Sequence, residues 1–409
     1  MKKIIYLILI LLILTGCGVS KNKKEQNKNE KPNEEEQEQE IIVEKDPIDE
    51  MLEEMTLEEK IAQMIVIYFN GYNYTDTLKD IVTSVKPGGA ILFKDNLNTT
   101  IQTRELITSM QTDSKIPMFI SVDQEGGNVQ RLTSLTDKKA TYIPYMSELG
   151  KTNDTNLAYE TGKVMASELR SLCFNMDYAP VVDVNSNPKN PIIGKRAFGT
   201  TSDIVEKMSI PLAKGLKEEG IIPVYKHFPG HGDTDSDSHV ELPIINKTKE
   251  ELYKLELKPF IKAIEEDADV IMIAHIALPK ITNDNTPASL SKEIITDLLR
   301  DELGYQNLVI VDALNMKAIA NNYTEEESTI KAIAAGVDLI LMPNDAKKTI
   351  EIVKNAVNDG TLTMERINES VRRILKVKEK YNILNGNACS SMDSFGSKEH
   401  KEIISKITK

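Results

Sequence analysis

The run Lys226-His227-Phe228-Pro229-Gly230-His231-Gly232-Asp233-Thr234-Asp235-Ser236-Asp237-Ser238-His239 holds three of the five histidines in the chain. Imidazoles and carboxylates at this density can hold a metal or move protons, and spacing separates the two. Asp233, Asp235 and Asp237 begin like a calcium loop, but the sixth position is Ser238 rather than Gly and the twelfth is Ile244 rather than Glu. Such a loop lacks both its sharp turn and its bidentate ligand. His227 and His231 have the separation of a helical zinc pair, yet Pro229 and Gly230 break the helix that would align them, and no His-Glu pair accompanies them. Acid/base chemistry remains: a His near its working pKa needs a partner that fixes its tautomer, and Asp237 stands two residues from His239. Alone, an Asp-x-His pair is common in solvated loops, so its value depends on a nucleophile opposite. Asp312, a carboxylate directly after the apolar run Leu308 to Val311, is the candidate; the same position also suits a helix N-cap.

The elements that must carry these residues repeat regularly. Short β-rich runs occur at Met64 to Phe69, Ala90 to Phe93, Met118 to Val122, Phe174 to Tyr178, Ile222 to Tyr225, Val270 to Ala274, Leu308 to Val311 and Val337 to Leu341. Between them lie helix-like segments with apolar residues at three- and four-residue spacing: Thr99 to Gln111, Asn156 to Ser171, Ser202 to Glu219, Lys249 to Glu265 and Ser291 to Leu303. Ser202 and Ser291 sit where N-caps belong, Gly220 and Gly304 where C-cap glycines do. Strand then helix, repeated eight times, predicts an α/β fold, a parallel sheet closed as a single-domain (β/α)8 barrel, with an open doubly wound sheet as the alternative. Thr363 to Tyr381 would be its last helix. A barrel puts chemistry just after the strand C-termini. Asp123, Gln124 and Glu125 follow the third run, Asp183 and Arg196 the fourth, Lys226 to His239 the fifth, His275 the sixth and Asp312 the seventh.

The remainder of the chain is an address and a tether. Met1-Lys2-Lys3 is a basic start, Ile4 to Leu14 an apolar core too short to span a bilayer comfortably, and Leu14-Thr15-Gly16-Cys17 places small residues before a cysteine. That pattern resembles a bacterial lipobox, which implies cleavage before Cys17, lipidation of its sulfur and attachment to the outer side of the cytoplasmic membrane by lipid. Ser20 to Glu40 has no aliphatic or aromatic residue and cannot offset the entropy of ordering. The expected division is residues 1–16 signal peptide, 17–45 lipidated cysteine and tether, 46–385 catalytic barrel and 386–409 a polar tail with a short amphipathic end. A net charge of −13 would repel a polyanion, which argues against nucleic acid as a partner, and zero Trp argues mildly against exposed indole platforms. Three cysteines make no disulfide framework; Cys173 reads as a small buried hydrophobe, and Cys389 has no visible role.

Four motifs now stand in order: Asp123-Gln124-Glu125-Gly126-Gly127 with Arg131; Asn190-Pro191-Ile192-Ile193-Gly194-Lys195-Arg196-Ala197-Phe198-Gly199; the Lys226 to His239 run; and Val311-Asp312-Ala313-Leu314-Asn315-Met316. Together they resemble family 3 glycoside hydrolases of the bacterial β-N-acetylhexosaminidase type, over Pro47 to about Asn385. The resemblance implies a retaining exo-β-N-acetylglucosaminidase that needs no metal or organic cofactor. Asp312 matches the nucleophile, and His239 oriented by Asp237 matches the acid/base on a mobile loop. Asp123, Arg131, Arg196, Lys226 and His227 match positions that grip the sugar. Ala197 and Ala313 depart from the more common Ser and Asp, and the second C-terminal domain of many relatives has no room here. An imidazole where other glycosidases use a carboxylate admits anionic leaving groups or acceptors, so peptidoglycan-derived muropeptides are the expected substrates and phosphate could compete with water. A β-glucosidase or β-xylosidase of the same family and a non-catalytic glycan-binding surface lipoprotein are the rival readings; a monomer is expected. Asp183 and His275 could line the sugar site or satisfy backbone groups, and Asp338 reads as a helix-strand junction residue.

Overall fold

The computed structural model describes residues 46–386 and 389–408. The lipobox with Cys17 and the tether lie outside the described residues. Eight parallel strands fall on the eight expected runs: Ile65–Ile67, Gly89–Leu92, Phe119–Val122, Met176–Asp177, Ile222–Phe228, Val270–Ile273, Leu308–Val311 and Ile340–Leu341. From the second to the seventh, each strand pairs with the one before it, and the first also pairs with the eighth through Ile65↔Ile340 and Val66↔Leu341. The seventh and eighth close the circle through the Ile310↔Leu339 bridge, with Val311 N donating to Leu339 O at 3.1 Å and Leu339 N to Val309 O at 3.0 Å. The sheet is thus the closed (β/α)8 barrel and not the open alternative.

All strand residues are buried on both faces, as a barrel wrapped by helices requires. The helices between them form where apolar periodicity and caps agree. Thr99 Oγ1 caps Thr100–Asp113, and the predicted stop glycines Gly220 and Gly304 adopt φ of +82° and +74°. The predicted helix 249–265 is interrupted: Lys249–Lys254 ends at Leu255, and Lys258–Glu265 restarts with Pro259 in its first turn. Ser202 lies inside its helix, with Thr201 as N-cap. The helices Thr155–Ser171 and Ser202–Glu218 touch backbone to backbone. A Cβ on Gly162 would meet Leu212 O at 2.1 Å and one on Gly215 would meet Tyr159 O at 2.2 Å.

Asp338 is a junction residue. Its carboxylate accepts from Arg300 Nη2 (2.8 Å), Ser370 Oγ (2.7 Å), Arg366 Nη2 (3.1 Å) and Val309 N (2.9 Å), joining the seventh strand to the helix Met364–Lys380.

Two readings of the sequence need correction. Cys173 and Cys389 form a disulfide across a separation of 216 residues, so neither is a free thiol. The segment from residue 389 to 408 is also docked: Phe395, Ile404 and Ile407 are buried against the barrel core, and Lys398–Ile404 is helical under a Ser397 cap. Polar composition hid three apolar anchors among charged residues, and nothing local to either cysteine announces a partner half a chain away.

Candidate active site

The short third strand delivers Asp123 to the barrel mouth, and the chain then folds into a hairpin of Gln124–Gly126 against Val129–Gln130. Gln124 stitches this excursion down. Its amide donates to Asp177 Oδ1 on the fourth strand (2.9 Å), and its side-chain Oε1 accepts from the amide of Arg131 (2.9 Å). The hairpin therefore holds Asp123, Glu125 and Arg131 in fixed relation. Arg131 Nη2 reaches Asp123 Oδ2 at 3.0 Å.

The fifth strand runs three residues past its predicted end, through Lys226, His227 and Phe228. Polar residues read as loop in sequence but stay in the sheet here because every charge is paired. Lys226 Nζ contacts Asp123 Oδ1 at 2.9 Å and Glu125 Oε1 at 2.6 Å. The register against the sixth strand shifts between Tyr225 and Phe228, and both Lys226 and His227 face the same cavity. Arg196, from the connection after the fourth strand, grips Glu125 with two parallel bonds of 2.7 and 2.8 Å. Burial would raise the carboxyls of Asp123 and Glu125; Lys226 and Arg131 around the first, and Arg196 and Lys226 around the second, more than offset it and hold both below the usual carboxylate range. Burial would likewise lower Lys226, and its two carboxylates keep it charged. Three cations against two carboxylates leave this end of the cavity net positive, with donors for hydroxyl and carbonyl oxygens.

Asp183 does not line the cavity. Its Oδ2 accepts from His227 Nδ1 at 2.7 Å, and Oδ1 from the amide of His231 at 2.6 Å. Because the carboxylate is an acceptor, the His227 proton is on Nδ1; Nε2 is left as an acceptor facing Arg196 Nη2 at 3.5 Å. His231 has Nδ1 at 3.0 Å from Thr234 Oγ1 and Nε2 at 3.1 Å from Ser238 Oγ. Burial pushes it down to about 4, so it is neutral at pH 7. That contact pins the Asp237-Ser238-His239 tip to the end of the fifth strand. The loop's base is clamped too: Lys247 bonds Asp233 at 2.7 Å and the buried Glu256 at 2.6 Å.

At the loop tip, Asp237 Oδ1 accepts from both the amide and Nδ1 of the exposed His239, each at 2.8 Å. His239 Nε2 is thereby left free for proton transfer. Asp312 ends the seventh strand, its amide donating to Ile273 O at 3.0 Å and its Oδ1 accepting from Ala313 N at 2.8 Å. It is no N-cap: the next helix, Lys317–Ala320, starts after Met316. Burial would raise its carboxyl, but His275, His227, the Ala313 amide and Lys226 carry it below the ordinary value. His275 is itself lowered by burial, so the Ala313 amide and Lys226 are the parts of that offset that persist when the imidazoles are neutral. His275 supports from behind, bonding Ser289 Oγ at 2.7 Å and Ala313 O at 3.0 Å.

Asp123, Arg131, Arg196, Lys226, His227, His239 and Asp312 all line one cavity of about 660 Å³, well within the range of small-molecule sites. Asp237 reaches it through His239. Sequence reasoning named these residues and missed Glu125 as a site residue, although it stands inside the first motif. It also missed Tyr145, Met272 and Met342 on the walls, which carry no local signal. The arrangement offers an anionic carboxylate, an oriented imidazole and a cationic cradle for oxygen atoms. Those are the parts of acid/base-assisted displacement at an acetal carbon.

Comparison with known proteins agrees with this geometry. The model of the glycosyl hydrolase family 3 N terminal domain matches residues 56–377, and that of the prokaryotic membrane lipoprotein lipid attachment site matches residues 1–17. Beta-hexosaminidase A of Pseudoalteromonas piscicida is 33% identical over 360 residues, 81% of this chain but only 59% of that protein. Beta-hexosaminidase of Nitrosomonas eutropha is 32% identical over 321 residues, 76% of this chain and 90% of that one. A solved family 3 β-N-acetylglucosaminidase from Paenibacillus sp. str. FPU-7 superposes with a TM-score of 0.82 at 36% identity, covering 87% of this chain and 68% of its own. With a closed barrel, its polar residues gathered at the strand C-termini and the family model matched over most of its length, the chain belongs to glycosyl hydrolase family 3.

Proposed function

We propose that this protein is a retaining exo-β-N-acetylglucosaminidase that removes terminal N-acetylglucosamine from peptidoglycan-derived fragments while anchored by lipid on Cys17 to the outer side of the cytoplasmic membrane. The observation that carries the reading is the pairing of Asp312 with His239, oriented by Asp237, around one cavity. In the first step an Asp312 oxygen attacks the anomeric carbon while His239 Nε2–H protonates the glycosidic oxygen, so the leaving sugar departs with that proton. In the second, the neutral imidazole takes a proton from water, whose oxygen attacks the same carbon and releases Asp312. Asp123, Arg131, Arg196, Lys226 and His227 hold the sugar's hydroxyl and N-acetyl oxygens. No step calls for a metal or cofactor. The imidazole that faces the leaving group is itself never anionic, and the Asp237 carboxylate behind it is engaged by the His239 amide and Nδ1, which lessens repulsion of an acidic leaving group and supports peptidoglycan fragments as substrates.

Proton NMR of the first sugar released from an aryl β-N-acetylglucosaminide tests the mechanism: the β-anomer should appear before mutarotation, and α-anomer appearing first would refute a covalent intermediate. Lipid labelling of Cys17→Ser tests the anchor. In cells fed labelled palmitate the wild type should carry the label and the variant should not, and a variant labelled as strongly as wild type would refute lipid attachment there.

A further inference from the structure

The C-terminal segment is fixed to the barrel by more contacts than a solvated tail needs. Beyond the Cys173–Cys389 bond, Ser390 N donates to Arg170 O at 3.1 Å. The buried Glu168 carboxylate accepts from Gly396 N (3.0 Å) and His400 Nδ1 (3.1 Å) on one oxygen and from Thr141 N (2.9 Å) on the other. Glu168 thus joins the segment to the loop that continues into Tyr142 and Tyr145. Between that loop and the end of the chain these restraints build a second cavity of about 580 Å³. Tyr142 and Tyr145 meet Ile404 and Ser405 across it, with Lys139 and Lys401 also on its lining. Tyr145 lines the catalytic cavity as well, and Lys195, on the lining of that first cavity, places Nζ 5.3 Å over the Tyr145 ring. Tyr142 is 57% exposed, a large aromatic face turned to solvent on the cavity lining.

We propose that this second cavity binds the leaving-group side of the substrate, a sugar that bears carboxylate or peptide. The proposal rests on the function proposed above. An exo-acting pocket encloses only the terminal sugar, so whatever follows the scissile bond emerges at the rim, and the wall shared by the two cavities is Tyr145. Aromatic faces with one polar edge suit sugar rings and peptide. The charge is selective: in a chain with net charge −13, Lys139 and Lys401 lie on this lining, Lys401 Nζ also donating to Gly396 O at 2.6 Å, and the carboxylate on the lining, Glu148, is paired with Lys151 at 2.9 Å; Lys195 stands over the shared Tyr145 from the catalytic side.

The test compares kcat/KM of the full-length protein in detergent on three substrates: 4-nitrophenyl β-N-acetylglucosaminide, neutral N,N′-diacetylchitobiose, and N-acetylglucosaminyl-β-1,4-N-acetylmuramyl dipeptide. The variants are Tyr142→Ala and the double variant Lys139→Gln/Lys401→Gln, all residues on the second cavity and not on the catalytic one. Tyr142→Ala should lower the value for both disaccharides about tenfold, and the lysine double variant for the dipeptide substrate alone by about as much, with aryl hydrolysis within about twofold of wild type throughout. Equal values on all three substrates, or parallel losses on all three, would overturn the subsite while leaving the proposed function standing. A wild-type protein inactive on all three would overturn both.

Discussion

Glu125 sets the charge balance of the site. It is buried beside Arg196 and Lys226, and Lys226 also serves Asp123, so the two carboxylates share a cation and neither can be removed without stranding a charge. Asp237 works differently. It touches no part of the cavity and acts by fixing which imidazole nitrogen of His239 carries the outward lone pair or proton. Asp237→Asn should keep the fold and lower kcat/KM, which reports the leaving-group step, on chitobiose on the order of 100-fold or more, because the amide can present either donor or acceptor to Nδ1. The loss on the 4-nitrophenyl glycoside should be much smaller, since that leaving group departs with little help from an acid. Equal losses of kcat/KM on the two substrates would contradict the assignment. The seven cavity-lining residues named from sequence were legible because they stand in dense polar motifs at the C-terminal ends of apolar strand runs. Asp183 was visible but its use was not: whether a carboxylate lines a site or orients a histidine depends on a direction that spacing does not encode.

At the scale of elements, the fifth strand and its loop carry much of the proposed chemistry, and the clamps at Lys247 and Ser238 tie down the loop that bears His239. Strand runs and most helix ends were readable because period and caps agreed. The extension of the fifth strand was not, since Lys226 and His227 belong in a buried strand only when partners from other loops neutralise them. The helix Met364–Lys380 carries a buried lysine with no such carboxylate partner among the described residues. Lys378 is fully buried, bonds Gln63 Oε1 at 2.8 Å and lies 5.0 Å over the Phe119 ring; burial pushes it down to about 7. Between about 7 and its ordinary 10.5 the unfolded chain binds a proton that the folded chain does not, so Lys378 makes stability rise with pH across that window. Lys378→Met should flatten the rise by on the order of 1–3 kcal/mol in denaturant titrations at pH 7 and 10. An unchanged difference between the two pH values would contradict this reading of the lysine.

Over the whole molecule, the barrel is closed by its sheet and then again by the chain's end. A disulfide spanning 216 residues removes much freedom from the unfolded chain, on the order of 5 kcal/mol at most in the chain-entropy picture. Cys389→Ser should lower thermal stability and free the segment beyond residue 389 for limited proteolysis, while leaving the aryl glycosidase reaction intact, because none of that segment lines the catalytic cavity. A protease-resistant C-terminus in the variant would show that Glu168 and the apolar anchors suffice alone. The alternation of strand and helix made the architecture legible from sequence, whereas the docking of the tail was not, because its anchors Phe395, Ile404 and Ile407 are separated by charged residues and its partner cysteine lies a half-chain away. Everything proposed for the catalytic cavity depends on Asp312 being the nucleophile of an N-acetylglucosaminidase. Release of 4-nitrophenol from the β-N-acetylglucosaminide and from the β-glucoside, by the full-length protein and its Asp312→Ala variant, decides this. Strong preference for the first substrate and a loss of roughly 1,000-fold or more in the variant are expected; equal rates on both substrates, or a variant that keeps its activity, would contradict the assignment.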